Sequence, residues 1–419
     1  MYNYFGDDSV NKIYKRETYL KKIRGFYNDS EMIKVITGIR RCGKSTLLDM
    51  IVTELKETGI EDKNIIFIKL DKKPYKNIST PEELENLLES KLTDDEFKYI
   101  FIDEIQNIKN FEPVIESYRL DGNYSIFITG SNSYLLSGDL ITKLTGRKIE
   151  LEMLPLSFYE YIEMKKELDK HVDSIYEEFE KYIKIGGFPG LLNYDDYESQ
   201  IAYVKNVLND IFEKDIKSNE KIKNREMFES VLKYVINNFG SEMSVNSIVK
   251  YYEGLNEKID YRTIERYIDI LINAKILYPC ENFDIKSKQV LKGEKKYYLA
   301  DLSIYYSLNT DNRINYGPVL ENILHNYLVS KNYSLSVGKI GNLEVDFIVR
   351  QGNDNYYYLQ VSKNIENDKT KNREYAPFYE IKDLYPRYLF LLDLIINENV
   401  GGIRNVNIVK FIANNEDLV

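Results

Sequence analysis

The sequence predicts an α/β fold in which a doubly wound parallel sheet is covered by helices on both faces. Short, almost wholly apolar runs alternate with segments of helical periodicity in the first third of the chain, at residues 32–37, 64–70, 99–102 and 124–129. Such runs are typical of strands that are buried on both faces, as in a parallel sheet between two helix layers. The first run ends in a glycine-containing turn, and apolar residues then recur at helical spacing over 44–56.

The composition is that of a globular protein with several cores. The chain has 419 residues, of which 43% are hydrophobic and 30% charged. Its formal net charge of −10 excludes a uniformly basic nucleic-acid binder, although a local basic patch stays open. Two cysteines and two histidines are too few for a disulfide framework or a zinc site. Because no apolar run reaches the length of a membrane span and the first residues show no apolar signal core, we expect a cytoplasmic protein that does not contact a membrane.

Changes in the pattern of elements divide the chain into four predicted domains. The α/β pattern ends near residue 155, and residues 156–222 are predicted to be helical. Residues 223–305 show three helices followed by a hairpin, which is the order of a winged helix-turn-helix. Residues 306–419 open with an amphipathic helix, and strands are predicted at 345–349, 355–361, 388–392 and 406–411.

Residues Gly38–Ser45 form a phosphate-binding motif. Their sequence, GIRRCGKS, matches G-x-x-x-x-G-K-[ST] at each fixed position, between a predicted strand and a predicted helix. The glycines let backbone N–H groups turn toward phosphate oxygens, and the helix N-terminus adds partial positive charge. We expect Lys44 to reach the β- and γ-phosphates and the Ser45 hydroxyl to hold Mg²⁺. The predicted nucleotide-binding residues are Gly38, Arg40, Arg41, Cys42, Gly43, Lys44, Ser45 and Thr46.

Cys42 lies inside this motif, between basic residues and close to a helix N-terminus. Such surroundings are expected to lower the pKa of a thiol. Phosphate-loop chemistry needs no thiol, so the sequence predicts no catalytic role for this side chain.

A second motif is present where the apolar run over 100–102 ends in two acids, Asp103 and Glu104. This is the Walker B pattern, in which the first acid contacts the Mg²⁺ shell and the second orients and polarises the attacking water. The strand between the two motif strands, predicted at 124–129, offers Asn132 or Thr129 as a polar sensor of the γ-phosphate or the water. An ordinary polar turn is the alternative. Arg147 either acts as an arginine finger, in cis or on a neighbour's nucleotide, or is a solvated surface charge.

Taken together, the motifs resemble the AAA+ superfamily ATPases of archaea and bacteria whose C-terminal half is a domain of unknown function. The resemblance rests on ITGIRRCGKSTLL, YIFIDEIQN, FITGSNSYLL and LTGRKIELEMLPLSFYEY, and on Ile185–Gly190, Glu213–Ile216, Lys296–Asp301, Leu343–Ile348 and Tyr358–Ser362. It implies ATP as the nucleotide. It also implies that residues 1–155 are an AAA+ P-loop ATPase core, 156–222 a helical lid, 223–305 a winged helix and 306–419 a restriction-endonuclease-like domain.

Nucleases of that implied fold carry an Asp on one strand and (Asp/Glu)-x-Lys on the next. The two acids bind Mg²⁺ and the lysine supports the attacking water. Asp346 takes the first position, and Glu344 shares its strand face because side chains alternate along a strand. Glu321, on the preceding helix, is a further candidate ligand.

The second half of the nuclease motif is altered. Gln360 replaces the acid, Ser362 replaces the lysine, and Lys363 lies one residue out of register and so on the opposite strand face. We therefore expect a degenerate site without cleavage activity, in a domain that is structural or that docks DNA or protein.

The predicted winged helix carries little net positive charge. Its third helix, over 261–275, holds three basic and two acidic residues, and its hairpin, over 281–296, holds five basic and three acidic residues. DNA-binding surfaces usually carry a denser basic footprint. Packing between the ATPase core and the C-terminal domain is therefore favoured over sequence-specific DNA recognition.

The sequence thus predicts a protein that binds ATP, hydrolyses it with Mg²⁺, and uses the nucleotide state to switch its C-terminal domains. Duplex DNA and a protein are both candidate partners. A nucleotide-regulated DNA- or protein-binding module with little turnover is the first alternative, and an ATP-gated, Mg²⁺-dependent DNA nuclease is the second. A homo-oligomer stays open, because an arginine finger supplied by a neighbour would require assembly.

Overall fold

The structure, a computed structural model, describes residues 14–92, 94–130, 146–217, 222, 224–309, 313–352 and 355–419. Within these ranges the strands form one five-stranded sheet and one nine-stranded sheet. None of the helices described there is long and apolar enough to span a membrane. Asn132, one of the two sensor candidates, lies outside the described residues.

The first sheet confirms the predicted doubly wound parallel sheet. Its strands are β1 (Ile33–Gly38), β2 (Ile65–Lys69), β3 (Lys98–Asp103), β4 (Tyr124–Thr129) and β5 (Lys148–Met153). Neighbouring strands all run parallel, in the spatial order β2-β3-β4-β1-β5. β4 therefore lies between β1 and β3, the two strands that lead into the phosphate loop and the acidic pair, as expected from the sequence.

Helices cover both faces of this sheet. They are α1 (Glu17–Ile23), α2 (Lys44–Glu57), α3 (Pro81–Lys91) and α4 (Glu112–Leu120). Phe101 packs in one apolar cluster with Leu47 of α2, whereas Ile100 and Ile102 pack in a second cluster with Leu84 of α3. Alternate residues of β3 thus enter opposite layers, which is why the strand sequence is apolar at nearly every position.

Residues 156–222 contain the predicted helices. These are α5 (Phe158–Glu167), α6 (Ile175–Ile185) and α7 (Tyr197–Asp210). A 3₁₀ turn at Pro189–Asn193 separates α6 from α7, and α7 continues into one wide turn of π-helix at Ile211–Ile216. Turns of π-helix are rare in proteins, and those that do occur are often found at functional sites.

The predicted order of three helices and a hairpin is present in the next segment. Its elements are α8 (Arg225–Asn237), β6 (Glu242–Met243), α9 (Val245–Gly254), α10 (Tyr261–Asn273), β7 (Leu277–Asp284) and β8 (Gln289–Leu299). β7 and β8 pair antiparallel, and β6 adds to the other edge of β8. The winged-helix assignment itself stays a prediction.

The remaining elements complete the second sheet. They are α11 (Ser303–Leu308), α12 (Tyr316–Ser330), β9 (Ser334–Ile340), β10 (Leu343–Gln351), β11 (Asn355–Ser362), α13 (Asp368–Glu380), β12 (Arg387–Leu391), β13 (Glu398–Val400), β14 (Ile403–Asn407) and α14 (Ile408–Ala413). The strand order is β13-β14-β12-β11-β10-β9-β7-β8-β6. Because β7 pairs in parallel with β9, the hairpin and the C-terminal strands share one sheet across the predicted boundary at residue 305.

The strand predicted at 406–411 is wrong in its second half. β14 ends at Asn407, whose side chain accepts a hydrogen bond from the Lys410 N–H and so caps α14. A short apolar run such as Ile408–Ile412 fits a buried strand or a buried helix equally well from sequence, and the Asn cap decides for the helix.

A buried guanidinium joins the N-terminal segment to the phosphate loop and to α5. Arg16 donates to the Cys42 carbonyl over 2.9 Å and to the Leu154 carbonyl over 3.0 Å. It also forms an ion pair of 2.7 Å with Glu160, and both side chains are almost wholly buried. Burial disfavours the charged form of Arg16, but Glu160 outweighs this effect, so the pKa of Arg16 is raised.

Replacing Arg16 with Leu should lower the free energy of unfolding by about 3–5 kcal/mol, because Glu160 would be left as a buried, unpaired charge. The measurement is equilibrium unfolding in urea. Lys15→Leu is the matched control, since Lys15 forms an exposed pair of 3.5 Å with Glu57, and such a pair contributes about 1 kcal/mol or less. Equal losses in the two variants would contradict this role for Arg16.

Candidate functional site

The loop after β1 has a backbone shape that depends on its glycines. Gly38 has φ +141° and Gly43 has φ +108°. A Cβ on Gly38 would lie 2.1 Å from the Met153 carbonyl oxygen on β5, so a larger residue would push the loop off the sheet. Gly43 is left-handed at the position before α2, which starts at Lys44. The loop is thereby joined to the positive end of the α2 dipole.

A cleft of about 980 Å³ opens beside this loop. Five segments line it: the phosphate loop, the residues after β2, the residues after β3, the Pro189–Asn193 turn and the π turn that follows α7. Six of the eight predicted nucleotide-binding residues line the cleft, namely Arg40, Arg41, Gly43, Lys44, Ser45 and Thr46. Its volume is in the range of ordinary small-molecule and cofactor sites.

Lys44 is buried and held by its own loop. Its ammonium donates to the carbonyl oxygens of Gly38 over 2.9 Å and Ile39 over 3.2 Å. Ser45 and Thr46 come next, on the first turn of α2. The ammonium, the two hydroxyl residues and the helix N-terminus therefore lie on one side of the cleft, and this arrangement suits an anionic group.

The pKa of the Cys42 thiol differs from the value expected from the sequence. The side chain is fully buried in the core, and the pKa of the thiol is raised rather than lowered. Burial disfavours the thiolate more than the charges of Lys44 and Arg16 favour it. Cys42 therefore acts as an apolar residue beneath the loop.

The acidic pair lies at the end of β3. Asp103 is buried, and one of its carboxylate oxygens accepts a hydrogen bond of 2.5 Å from the Thr129 hydroxyl. Glu104 has φ +59°, a left-handed conformation that is costly for a residue with a side chain and that clusters at functional sites. Glu104 lines the cleft, and the Gln106 amide donates to its carboxylate.

Thr129, at the end of β4, connects the two acids. Its hydroxyl donates to Asp103 and accepts from the Glu104 N–H over 3.1 Å. Thr129, the sensor candidate within the described residues, is thus in contact with the acidic pair. The order of β3, β4 and β1 explains this contact, because the ends of neighbouring parallel strands meet at one edge of a sheet.

Arg147 lies apart from this group. Its side chain is half exposed and forms an ion pair of 2.6 Å with Glu116 of α4. Arg119 pairs with the same carboxylate over 2.8 Å. Arg147 is not one of the described residues that line the cleft, so the structure does not bring it to the phosphate loop of its own chain.

Sequence reasoning assigned no role to Asp215 in the π turn after α7, although it belongs to the Glu213–Ile216 motif that carried the family resemblance. Asp215 accepts two hydrogen bonds from Arg40 of the phosphate loop, over 2.9 Å and 2.6 Å. Burial disfavours the charged form of Arg40, but Asp215 and the more distant Glu104 and Asp210 outweigh it and raise the pKa of Arg40. Arg41 pairs more loosely with Asp210, over 3.4 Å.

The predicted nuclease-like acids lie near one another in the second sheet, but a lysine already neutralises them. Lys296 of β8 reaches Glu321 over 2.9 Å and Glu344 over 2.8 Å. The Tyr298 hydroxyl donates to Glu321, and Lys339 donates to Glu344 over 2.6 Å. From the sequence, Lys296 counts among the basic residues that the hairpin could offer to DNA, whereas its side chain is buried in this cluster.

Asp346 is held by backbone and amide groups. Its carboxylate accepts from the Val361 N–H, and its own N–H donates to the Gln360 side-chain oxygen, each over 2.7 Å. The Gln360 amide in turn donates to Glu374 of α13 over 3.4 Å. Burial raises the pKa of Asp346 well above its usual value, and the charge of Glu321 adds to this effect.

The last two residues of the altered motif point to other partners. The Ser362 hydroxyl donates to the Asn364 carbonyl, and the Lys363 ammonium lies 4.6 Å from the centre of the Tyr316 ring. Within the part of the chain that the structure describes, no three His, Cys, Asp or Glu side chains are arranged as ligands of one metal ion. In this arrangement Lys296 is the cation that contacts Glu321 and Glu344.

Family models match two parts of the chain. A model described as an AAA domain matches residues 30–162, and one described as a domain of unknown function (DUF8612) matches residues 176–314. An uncharacterized protein of Haemophilus influenzae is 31% identical over 400 residues, which cover 95% of this chain and 98% of the relative. The uncharacterized protein MJ1544 of Methanocaldococcus jannaschii is 32% identical over 368 residues, which cover 84% of this chain and 79% of the relative.

A solved structure has a similar fold. The Walker-type ATPase PABY2304 of Pyrococcus abyssi matches with a TM-score of 0.51 and 16% sequence identity. The match covers 73% of this chain and 99% of that one. At this identity the likeness is one of fold.

Lys296→Met should destabilise the protein by about 3–5 kcal/mol at neutral pH, because it leaves buried carboxylates without their cation. Burial already raises the pKa values of Glu321 and Asp346, so the native state holds protons that the unfolded state releases, and stability falls as pH rises through these values. Without Lys296 both pKa values rise further. The difference in Tm between the variant and the wild type should therefore grow from about pH 5 to about pH 8.

Thermal unfolding followed by circular dichroism across this pH range provides the measurement. Lys292→Met, at an exposed lysine of the same strand, is the matched control and should leave Tm unchanged. A Tm difference for Lys296→Met that is absent, or that is the same at every pH, would contradict the proposed role of Lys296 as the cation of this cluster.

Proposed function

The chain belongs to the AAA+ P-loop ATPases, and from this premise we propose that it binds ATP with Mg²⁺ in the cleft beside residues 38–45 and hydrolyses it. The observation that carries the proposal is that Lys44 and Glu104 both line one cleft. The Thr129 hydroxyl, next to them, is hydrogen bonded to both the Glu104 N–H and the Asp103 carboxylate. A phosphate loop alone would support binding. The acidic pair supplies the groups that hydrolysis needs.

Binding uses the charge and the donors of the loop. The phosphates would take the place of the Gly38 and Ile39 carbonyls as partners of the Lys44 ammonium. The Ser45 hydroxyl and the Asp103 carboxylate supply oxygen ligands of the kind that Mg²⁺ prefers, so they suit the Mg²⁺ that accompanies ATP. When bound, Mg²⁺ neutralises charge that develops on the phosphate oxygens.

Hydrolysis depends on Glu104 as the group that orients and polarises the attacking water. Its backbone N–H is fixed by Thr129, and its carboxylate is oriented by Gln106, so the base is positioned by both its main chain and its side chain. Thr129 also fixes Asp103, which couples the position of the base to that of the Mg²⁺ ligand. Lys44 stabilises the charge on the transferred phosphoryl group.

A buried contact offers a route from the cleft to the C-terminal half. Pro189 and Gly190 line the cleft, and the Gly187 N–H of the same loop donates to Asp301 over 2.6 Å. A Cβ on Gly186 would lie 1.8 Å from the Asp301 carboxylate, so the loop and Asp301 are closely packed and are expected to move together. We propose that this contact passes the nucleotide state to the hairpin and the C-terminal sheet, in a two-state switch.

The charge of the hairpin bears on whether the partner of that switch is DNA or a protein. Three basic residues counted toward a DNA-binding surface pair with acids instead: Lys275 with Glu152, Lys295 with Glu281, and Lys296 with Glu321 and Glu344. These pairs reduce the positive charge that is available to phosphates of DNA, and they favour the packing role. The nuclease alternative is not supported, because Lys296 occupies the acidic cluster.

Glu104→Gln should bind ATP but hydrolyse it at least about 100-fold more slowly, since removal of a general base costs roughly 10²–10⁴ in rate. Lys44→Ala should lose ATP binding. The measurements are phosphate release and fluorescence titration with a labelled ATP analogue, each with and without duplex DNA. Turnover that rises with DNA would identify DNA as a partner.

Lys91→Ala, on the last turn of α3, is the control for removal of a lysine. It should leave binding and turnover unchanged. Turnover in Glu104→Gln that equals that of the wild type would exclude Glu104 as the base, and turnover that does not depend on Lys44 would exclude the proposed site.

A further inference from the structure

We infer that Arg40 distinguishes ATP from ADP by exchanging partners, from the carboxylate of Asp215 to the γ-phosphate, and that Asp215 is the positioning residue that sets this preference. The inference rests on the proposed function, because it concerns the nucleotide in the same cleft. It specifies the role of Arg40 within the predicted nucleotide-binding residues and assigns a role to Asp215, which the two motifs leave without one.

The Arg40–Asp215 contact has the geometry of a strong but exchangeable pair. Two hydrogen bonds, of 2.9 Å from Nε and 2.6 Å from Nη2, join one edge of the guanidinium to both carboxylate oxygens. The exposed fraction is 15% for the Arg40 side chain and 4% for that of Asp215. A phosphate presents the same paired oxygens as a carboxylate, and a guanidinium binds both in the same forked manner.

The position of Arg40 explains why the terminal phosphate is the competing partner. One guanidinium nitrogen lies 4.0 Å from a carboxylate oxygen of Glu104, the residue proposed to hold the attacking water. The γ-phosphate must lie beside that water in order to react with it. ATP therefore brings anionic oxygens within reach of Arg40, whereas ADP ends one phosphate farther from Glu104.

The exchange has a cost that depends on Asp215. When Arg40 turns to the γ-phosphate, the nearly buried Asp215 carboxylate loses the guanidinium that neutralises it, and separating a buried ion pair is unfavourable. ATP must overcome this cost and ADP does not. Because Asp215 lies in the π turn at the end of α7, a shift of that turn would lessen this cost, and the same exchange would pass the presence of ATP to residues 156–222.

Asp215→Asn should therefore raise the affinity for ATP relative to ADP, because the uncharged amide releases Arg40 at lower cost. We expect the ratio of the ADP Kd to the ATPγS Kd to increase about 5-fold or more, the lower end of ordinary coupling between sites. Arg40→Gln should weaken ATPγS binding and leave ADP binding nearly unchanged. In the double variant, Asp215→Asn should have no further effect on the ratio.

The experiment is isothermal titration of the full chain with Mg²⁺ and ATPγS or ADP. Asp195→Asn is the matched control, because Asp195 comes just before α7, forms an exposed pair of 2.6 Å with Lys170 and does not line the cleft; its ratio should equal that of the wild type. Circular dichroism establishes that each variant is folded. If Asp215→Asn does not fold, Arg40→Gln decides the question alone.

Two results overturn the inference and separate it from the proposed function. An unchanged ratio in Asp215→Asn, or equal losses of ATPγS and ADP in Arg40→Gln, would leave the pair as a structural contact while binding that depends on Lys44 persists. Absence of Lys44-dependent nucleotide binding in the wild type would instead remove the proposed function, and the inference with it.

Discussion

The backbone of the loop over residues 38–45 is the constraint on which the other contacts of the site depend. Gly38 fits against the Met153 carbonyl only because it lacks a Cβ, and this close approach fixes where the chain turns from β1 into α2. Arg16 then holds the loop from one side through the Cys42 carbonyl, and Arg40 joins it to the π turn after α7 through Asp215. A displacement of the loop would therefore break contacts to the N-terminal segment, the sheet and this π turn at once.

Buried polar contacts join successive parts of the chain. Asp301 accepts from the Gly187 N–H, and burial raises the pKa of this carboxyl to about 6 although its hydrogen bonds with Ser303 and Gly187 oppose the shift. Lys296 joins the hairpin to α12 and β10 through Glu321 and Glu344. Since each contact is costly to separate, the segments that it joins are expected to move together rather than as independent modules.

Local sequence patterns predicted the parallel sheet correctly, whereas contacts between distant residues could not be predicted from them. Apolar runs and the two motifs were enough for the sheet, and the position of β4 between β1 and β3 brought Thr129 to Asp103. The Arg40–Asp215 pair joins residues 175 positions apart, and the spacing of apolar residues along the sequence cannot predict such a contact. A count of charges gives the sign of Lys296 but not its partners, and the expected pKa of Cys42 was wrong because neighbours in sequence do not reveal burial.

A nucleotide in the loop is proposed to change segments outside the ATPase core. Hydrogen–deuterium exchange of the full chain, with ADP and with ATPγS, tests this proposal most directly. We predict that ATPγS, compared with ADP, alters exchange at residues 186–190, 211–216 and 301–303 as well as in the loop itself. A difference confined to residues 38–46 would contradict the proposal, because the nucleotide state would then stay within the phosphate loop.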